Sequence, residues 1–231
     1  MSVYLDTSDI AQIKMLSDLL PIAGVTTNPT IVAKSGLKMV NLLPQIREAL
    51  DSDGLIFGQV ISTHADEIVD EALKLNQMVD NFIVKIPVNM QGVKAIKRLK
   101  NEGVATLGTA IYTSQQAIFA ALAGASFVAP YINRIDTLTG NAIETVESIA
   151  HLLSYHAQSC KIIGASFKNT KQVIECLSVR QSSVTIPVEL AHKMMENPCV
   201  NDAINKFHQD WVDCYGSIEV DPNGWTHKLT S

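Results

Sequence analysis

An amine set among apolar residues is costly to keep charged, and Lys85 stands in such a place, within Phe82-Ile83-Val84-Lys85-Ile86-Pro87. Burial disfavours the ammonium form and pulls the pKa down from its ordinary value of about 10.4. Bringing it to roughly 7–8 needs about 4 kcal/mol of differential destabilisation, which an apolar strand can supply. A neutral amine attacks a carbonyl and forms an iminium, an electron sink for breaking a carbon–carbon bond. The other role open to such a residue is structural: a lysine that snorkels to solvent, or one paired with a buried acid such as Asp6.

Polar residues recur where other apolar runs end. They are Asp6, then Thr26, Thr27 and Asn28, then Gln59, Lys85, Thr109, Tyr131 with Asn133 and Arg134, and Ser166 with Lys168. Asp6 is the carboxylate of the set. It could bind or deprotonate a hydroxyl, or cap the helix that starts near Ser8. Gln59 and Thr109 could orient a water, although Thr109 also suits a strand as a β-branched residue. Tyr131 could be a general acid/base, or a core aromatic whose hydroxyl finds a partner. Asn28-Pro29 also reads as a plain turn. Arg134, Ser166 and Lys168 suit a phosphate, or Arg134 is an ordinary surface ion pair. One polar strand end means little; their recurrence is what a shared site requires.

Such a site needs elements that bring these ends together. Eight short apolar runs begin near Val3, Ala23, Leu55, Phe82, Val104, Ser126, Lys161 and Ser183. Most are continuously apolar, the mark of strands buried on both faces of a parallel sheet. Helical spacing links Ile10, Ile13, Leu16 and Leu19, then Val93, Ile96 and Leu99, then Ile143, Val146, Ile149 and Leu153. Helix starts are expected after Thr7-Ser8-Asp9, at Thr63 and at Thr113-Ser114. Eight βα repeats predict an α/β fold, a single (β/α)₈ barrel, whose site lies at the C-terminal ends of the strands and whose phosphate site lies near the last two. A doubly wound sheet lacks support, since no GxGxxG follows any strand. We expect one domain over 1–216, including an extra C-terminal helix with Val200, Ile204, Phe207, Trp211 and Val212 on one stripe, then a polar tail over 217–231 that is loosely ordered unless Trp225 docks.

Composition narrows the partners. With 231 residues, 47% hydrophobic and 18% charged, the chain is globular. A formal net charge of −5 does not advertise nucleic-acid or anionic-membrane binding. The basic stretch Lys94, Lys97, Arg98 and Lys100 reads as a solvated helix face. Cys160, Cys176, Cys199 and Cys214 form no CxxC pair and have no histidine at zinc-site spacing, so no metal is expected; they read as reduced thiols in a cytoplasmic protein. Neither a signal peptide nor a membrane span is expected.

The segments VYLDTSD, GVTTNPTI, FGQVI, IVKIPV, TLGTAIY, APYINRID and ASFKN resemble, in order and spacing, the transaldolase family and, within it, the fructose-6-phosphate aldolase branch. The resemblance runs from Val3 to about Tyr215. It implies a (β/α)₈ barrel without metal or other cofactor and a covalent lysine, matched by Lys85. It implies Asp6 and Asn28 as contacts to substrate hydroxyls, and Arg134, Ser166 and Lys168 as the hold on a phosphate. Transaldolases carry Glu where Gln59 stands, Phe at Tyr131, Ser at Ala129 and Asn at Leu107. All four positions follow the aldolase pattern, and with Thr26 they complete the site that the resemblance implies. The expected activity is cleavage and formation of fructose 6-phosphate. The alternatives are a transaldolase, which transfers dihydroxyacetone between sugar phosphates such as sedoheptulose 7-phosphate and erythrose 4-phosphate, and a non-catalytic barrel that binds sugar phosphates. A homo-oligomer, a ring-shaped decamer, is also implied.

Overall fold

The computed structural model describes residues 1–50 and 53–216; the tail over 217–231, with Trp225, lies outside the described residues. The strands are β1 (Val3–Asp6), β2 (Ile22–Thr26), β3 (Leu55–Gln59), β4 (Phe82–Pro87), β5 (Thr106–Ile111), β6 (Phe127–Pro130), β7 (Lys161–Gly164) and β8 (Ser182–Ile186). All neighbours pair in parallel, and β8 closes on β1. The result is the eight-stranded α/β barrel that the repeats called for. Parallel strands need crossovers, which the helices supply. These are α1 (Ile10–Leu19), α2 (Pro29–Ser35), α3 (Met39–Ala49), α4 (Ala65–Asn76), α5 (Met90–Asn101), α6 (Ser114–Ala123), α7 (Ile132–Thr139), α8 (Ala142–His156), α9 (Thr170–Ser178) and α10 (Val188–Met195).

Period-two alternation sends each strand's side chains to two different cores. One face packs outward against the helices, in a large cluster that includes Leu5, Val25, Ile56, Val84, Ile86, Ile111, Val128 and Ile162. The other face fills the barrel interior with Tyr4, Phe57, Ile83, Leu107, Phe127, Ala129, Ile163 and Ala165. Phe57 lies edge-on to both Tyr4 and Phe127, with centroids 5.3 and 5.5 Å apart, so the interior is an apolar plug rather than a pore. Because both faces are buried, the runs look continuously apolar in sequence.

The compact unit spans Met1–Met194, and a second unit begins at Met195. The described part of that second unit holds α11 (Pro198–Tyr215), which is capped by Asn197 at its start and by Gly216 in a left-handed conformation at its end. Val200, Ile204 and Phe207 on this helix are exposed. Among the described residues no helix is long and apolar enough to cross a membrane.

Helix starts follow the expected chemistry in two places of three. Asp9 caps α1 through the Gln12 amide, and Thr113 caps α6 through Gln116. Thr63 does not cap α4. His64 takes that position without a side-chain bond, and Asp66 and Glu67 in the first turn meet the helix dipole instead.

Candidate active site

Two residues beyond an interior side chain, a strand presents its next inward side chain. On β3 the step from Phe57 leads to Gln59, on β4 from Ile83 to Lys85, and on β5 from Leu107 to Thr109; beyond β6 it leads from Ala129 to Tyr131. A polar layer therefore sits directly on the apolar plug, at the C-terminal ends of the strands. Gln59 and Lys85 are register partners. Above this layer opens a cavity of about 980 Å³ whose lining includes Asp6, Asn28, Lys34, Gln59, Lys85, Ala110, Tyr131, Arg134, Ser166, Lys168 and Thr185. Of the residues singled out from sequence, Thr26, Thr27, Leu107, Thr109, Ala129 and Asn133 do not line it. Leu107 and Ala129 are 1% and 3% exposed in the plug, while Thr26 and Thr109 act through hydrogen bonds to residues that do.

Lys85 is 6% exposed. Its Nζ donates to the Thr27 carbonyl oxygen at 2.5 Å and, among the described residues, forms no ion pair. Burial pulls its pKa below the ordinary lysine range, and the charge of Asp6 opposes that shift. Asp6 is itself pushed above the usual carboxylate range by burial, with Lys85 and the hydroxyl of Thr26 pulling it back. Asp6 caps no helix. Its Oδ1 accepts from Thr26 Oγ1 at 2.7 Å. Thr26 Oγ1 also stands 2.7 Å from Thr185 Oγ1, and since its one proton goes to Asp6, Thr185 is the donor in that second bond. A chain Thr185–Thr26–Asp6 thus fixes the carboxylate across β8, β2 and β1. Hydrogen bonds to a charged group are worth about 1.5–3 kcal/mol.

Tyr131 lies just before α7 and bridges to Ala165. Its hydroxyl oxygen accepts from Thr109 Oγ1 at 3.1 Å, which leaves its own proton for the cavity. Burial raises its pKa above the usual tyrosine value, so the phenol stays protonated at neutral pH. Gln59 lines the cavity, and its buried Oε1 has no partner among the described residues. Asn28 is a helix cap rather than a plain turn. Its Oδ1 accepts from the Ile31 amide at 3.0 Å, and Pro29 occupies the first turn of α2, so only its side-chain NH₂ remains to donate.

At the cavity rim, Arg134 is exposed and has no carboxylate partner among the described residues. Its Nη1 donates to the Tyr112 hydroxyl at 3.1 Å, and its guanidinium lies 5.0 Å from the Tyr131 ring centroid. The two tyrosine rings meet edge to face at 5.9 Å. The charge is oriented without being neutralised, which leaves it available to an anion. Ser166 and Ala110 both line the cavity in left-handed backbone conformations, at φ 63° and 55°. For a residue with a Cβ that conformation costs about 1–2 kcal/mol, and such strain gathers at functional sites.

Thr185, Tyr112 and Lys34 were not singled out from sequence. Thr185 could have been, because it is a threonine near the end of the last apolar run, as Thr109 is in the fifth. Tyr112 ends the segment TLGTAIY, but nothing in its type or spacing marks it as a site residue. Among the described residues no group of three His, Cys, Asp or Glu is placed to hold a metal ion.

The family model described as Transaldolase/Fructose-6-phosphate aldolase matches residues 3–218. Solved structures give the same fold at low identity. A cube-shaped protein cage designed by fusing symmetric oligomeric domains is 11% identical, with TM-score 0.55 over 93% of this chain and 77% of that one. A mandelate oxidase mutant with the monooxide FMN adduct is also 11% identical, with TM-score 0.58 over 83% and 65% of the two chains. These likenesses show the barrel alone.

Proposed function

Because the chain belongs to the transaldolase/fructose-6-phosphate aldolase family, we propose that it is a Schiff-base aldolase that cleaves fructose 6-phosphate to dihydroxyacetone and glyceraldehyde 3-phosphate, and runs the reverse addition. The observation that carries this reading is Lys85: a buried amine with no ion pair among the described residues, at the floor of a cavity rimmed by Arg134 and Lys168. Its neutral Nζ adds to the C2 carbonyl of the ketose, and loss of water gives the iminium. The C4 hydroxyl gives up its proton to Asp6, directly or through a water that Tyr131 holds. The C3–C4 electron pair then flows into the iminium and leaves an enamine. Glyceraldehyde 3-phosphate departs. Protonation of the enamine at C3, with the Tyr131–Thr109 pair as proton route, regenerates an iminium. Water oriented by Gln59 hydrolyses it to dihydroxyacetone and frees the amine.

Asn28 has donors for a substrate hydroxyl, and Thr26 acts by holding Asp6. Leu107 and Ala129 shape the floor from beneath. Arg134, Ser166 and Lys168 take the phosphate. The exposed apolar residues of α11 support a homo-oligomeric form, and the free thiols Cys160, Cys176 and Cys199 suit the cytoplasm.

The choice between hydrolysis and transfer lies in proton and water delivery, and coupled assay of glyceraldehyde 3-phosphate release decides it. The wild type should cleave fructose 6-phosphate without added aldehyde. Tyr131→Phe should lose about a hundredfold of that cleavage, and Tyr131→Phe with Gln59→Glu should favour transfer onto erythrose 4-phosphate. Release that occurs only when erythrose 4-phosphate is present would make the protein a transaldolase. Binding of sugar phosphate with no turnover of either kind would make it a non-catalytic barrel.

A further inference from the structure

The phosphate site proposed above is split between two elements. Arg134 belongs to α7, while Ser166 and Lys168 belong to the loop between β7 and α9. Backbone bonds join the two at their near ends: the Ile132 amide donates to the Ala165 carbonyl at 2.8 Å, and the Asn133 amide to the Ser166 carbonyl at 3.1 Å. Beyond that point the loop turns away through the left-handed Ser166, and its spacing from α7 needs another tie.

Gln172, on the first turns of α9 and 8% exposed, supplies one. Its Oε1 accepts from the Lys168 amide at 3.0 Å. Its Nε2 donates to Asp136 Oδ2 on α7 at 2.7 Å and approaches Asn133 Oδ1 at 3.4 Å. The other oxygen of Asp136 accepts from the Ala142 amide at 3.1 Å, so the carboxylate is itself held at the start of α8. Only one orientation of the Gln172 amide works. Flipped, it would set its oxygen against a carboxylate and its NH₂ against a backbone N–H. A charge-assisted bond on one side and a backbone bond on the other make a short buried strut between the two halves of the clamp.

We propose that Gln172 is a positioning residue for phosphate recognition: through Asp136 and the Lys168 amide it sets the gap between Arg134 and the Ser166–Lys168 loop. This rests on the reading of Arg134, Ser166 and Lys168 as the phosphate site. Gln172 touches no substrate; it holds the donors at the separation that one anion bridges. Misplacing such donors by about 1 Å costs on the order of a hundredfold. An unphosphorylated ketose, which does not use the clamp, is indifferent to the strut.

The test exploits the direction of the two bonds. Gln172→Glu keeps the acceptor for the Lys168 amide but sets a second carboxylate against Asp136. Adding Asp136→Asn reverses donor and acceptor across that contact, leaves an oxygen for the Ala142 amide and restores the net charge. Affinity for inorganic phosphate, KM for fructose 6-phosphate and the rate of borohydride trapping with dihydroxyacetone are measured on each. The single variant should weaken phosphate and raise the KM roughly ten- to a hundredfold, with trapping of dihydroxyacetone unchanged; the double variant should recover most of the loss. Where Gln172→Glu does not fold, Gln172→Met, which keeps the volume, takes its place. A double variant with wild-type melting temperature that stays as weak as the single, or trapping that falls in parallel with phosphate affinity, overturns the proposal. Arg134→Ala is measured alongside. If it weakens phosphate while the Gln172 variants do not, the strut alone is wrong. If it leaves phosphate affinity unchanged, the clamp reading fails and the strut with it.

Discussion

The Lys85 amine points at the carbonyl oxygen of Thr27, 2.5 Å away, rather than at a carboxylate. A carbonyl accepts from an amine or an ammonium, more strongly from the ammonium, so this contact holds the side chain in place with a far weaker preference for charge than an ion pair would impose. An ion pair would have locked the charged form and raised the pKa. The Asp6 anion still acts on Lys85 from beyond ion-pair reach, and it acts in the opposite sense to burial.

A pH prediction follows from those opposed causes. Only the neutral amine attacks, so the iminium forms faster as pH rises through the lysine pKa, which burial has moved below its ordinary value. Asp6→Asn removes the anion that favours the ammonium and leaves burial acting alone, so the pKa falls further. The rise in trapping rate, followed with dihydroxyacetone and cyanoborohydride against pH, should move to lower pH in Asp6→Asn even if its plateau is lower. A shift to higher pH would mean that Asp6 does not act on Lys85 as a charge.

Arg134→Ala should cost about ten- to a hundredfold in kcat/KM on fructose 6-phosphate, the worth of a charge-assisted contact to phosphate. The loss on dihydroxyacetone with an unphosphorylated aldehyde should be much smaller. Because Arg134 also lies over the Tyr131 ring, some loss on both substrates is expected, and the ratio of the two losses is the quantity to read. Equal losses would make Arg134 a support for Tyr131 alone.

Ser166 combines a strained backbone with a hydroxyl on the cavity wall. Glycine adopts its φ of 63° without the cost of a Cβ, about 1–2 kcal/mol. Ser166→Gly should therefore keep or raise the melting temperature while weakening fructose 6-phosphate. A variant that melts well below the wild type would show that the hydroxyl supports the loop rather than a ligand.

The iminium takes the part that a Lewis acid plays in metal-dependent aldolases. Dialysis against EDTA should leave the cleavage rate unchanged. Loss on chelation, restored by zinc, would assign the chemistry to a metal.

Much of the barrel is legible in the sequence because strands buried on both faces leave continuous apolar runs, with polar residues near or just past their C-terminal ends. Phe82–Pro87 is read to the residue for that reason. Boundaries blur where the chain changes element without a change in polarity. The run through Pro130, Tyr131 and Ile132 looks extended, yet α7 begins at Ile132, and the apolar side chain of Ile132 serves a helix as well as a strand. Asn28-Pro29 reads as a turn but starts α2, since the same residues cap helices. Thr185 repeats the polar strand-end signal and could have been added. Contacts set by distant segments left no trace: Tyr112 with Arg134 is a pair 22 residues apart, and Gln172 with Asp136 is 36 apart. Either member alone looks like a surface polar residue.

Reductive trapping tests Lys85 most directly. The wild-type protein is incubated with fructose 6-phosphate and borohydride, digested, and its peptides are weighed. One modified peptide should appear, with the dihydroxyacetone-derived group on Lys85, and Lys85→Arg should show neither the modified peptide nor any cleavage activity. A modification on Lys34, Lys94 or Lys168 instead, or active wild-type enzyme that cannot be trapped at all, would contradict a covalent role for Lys85.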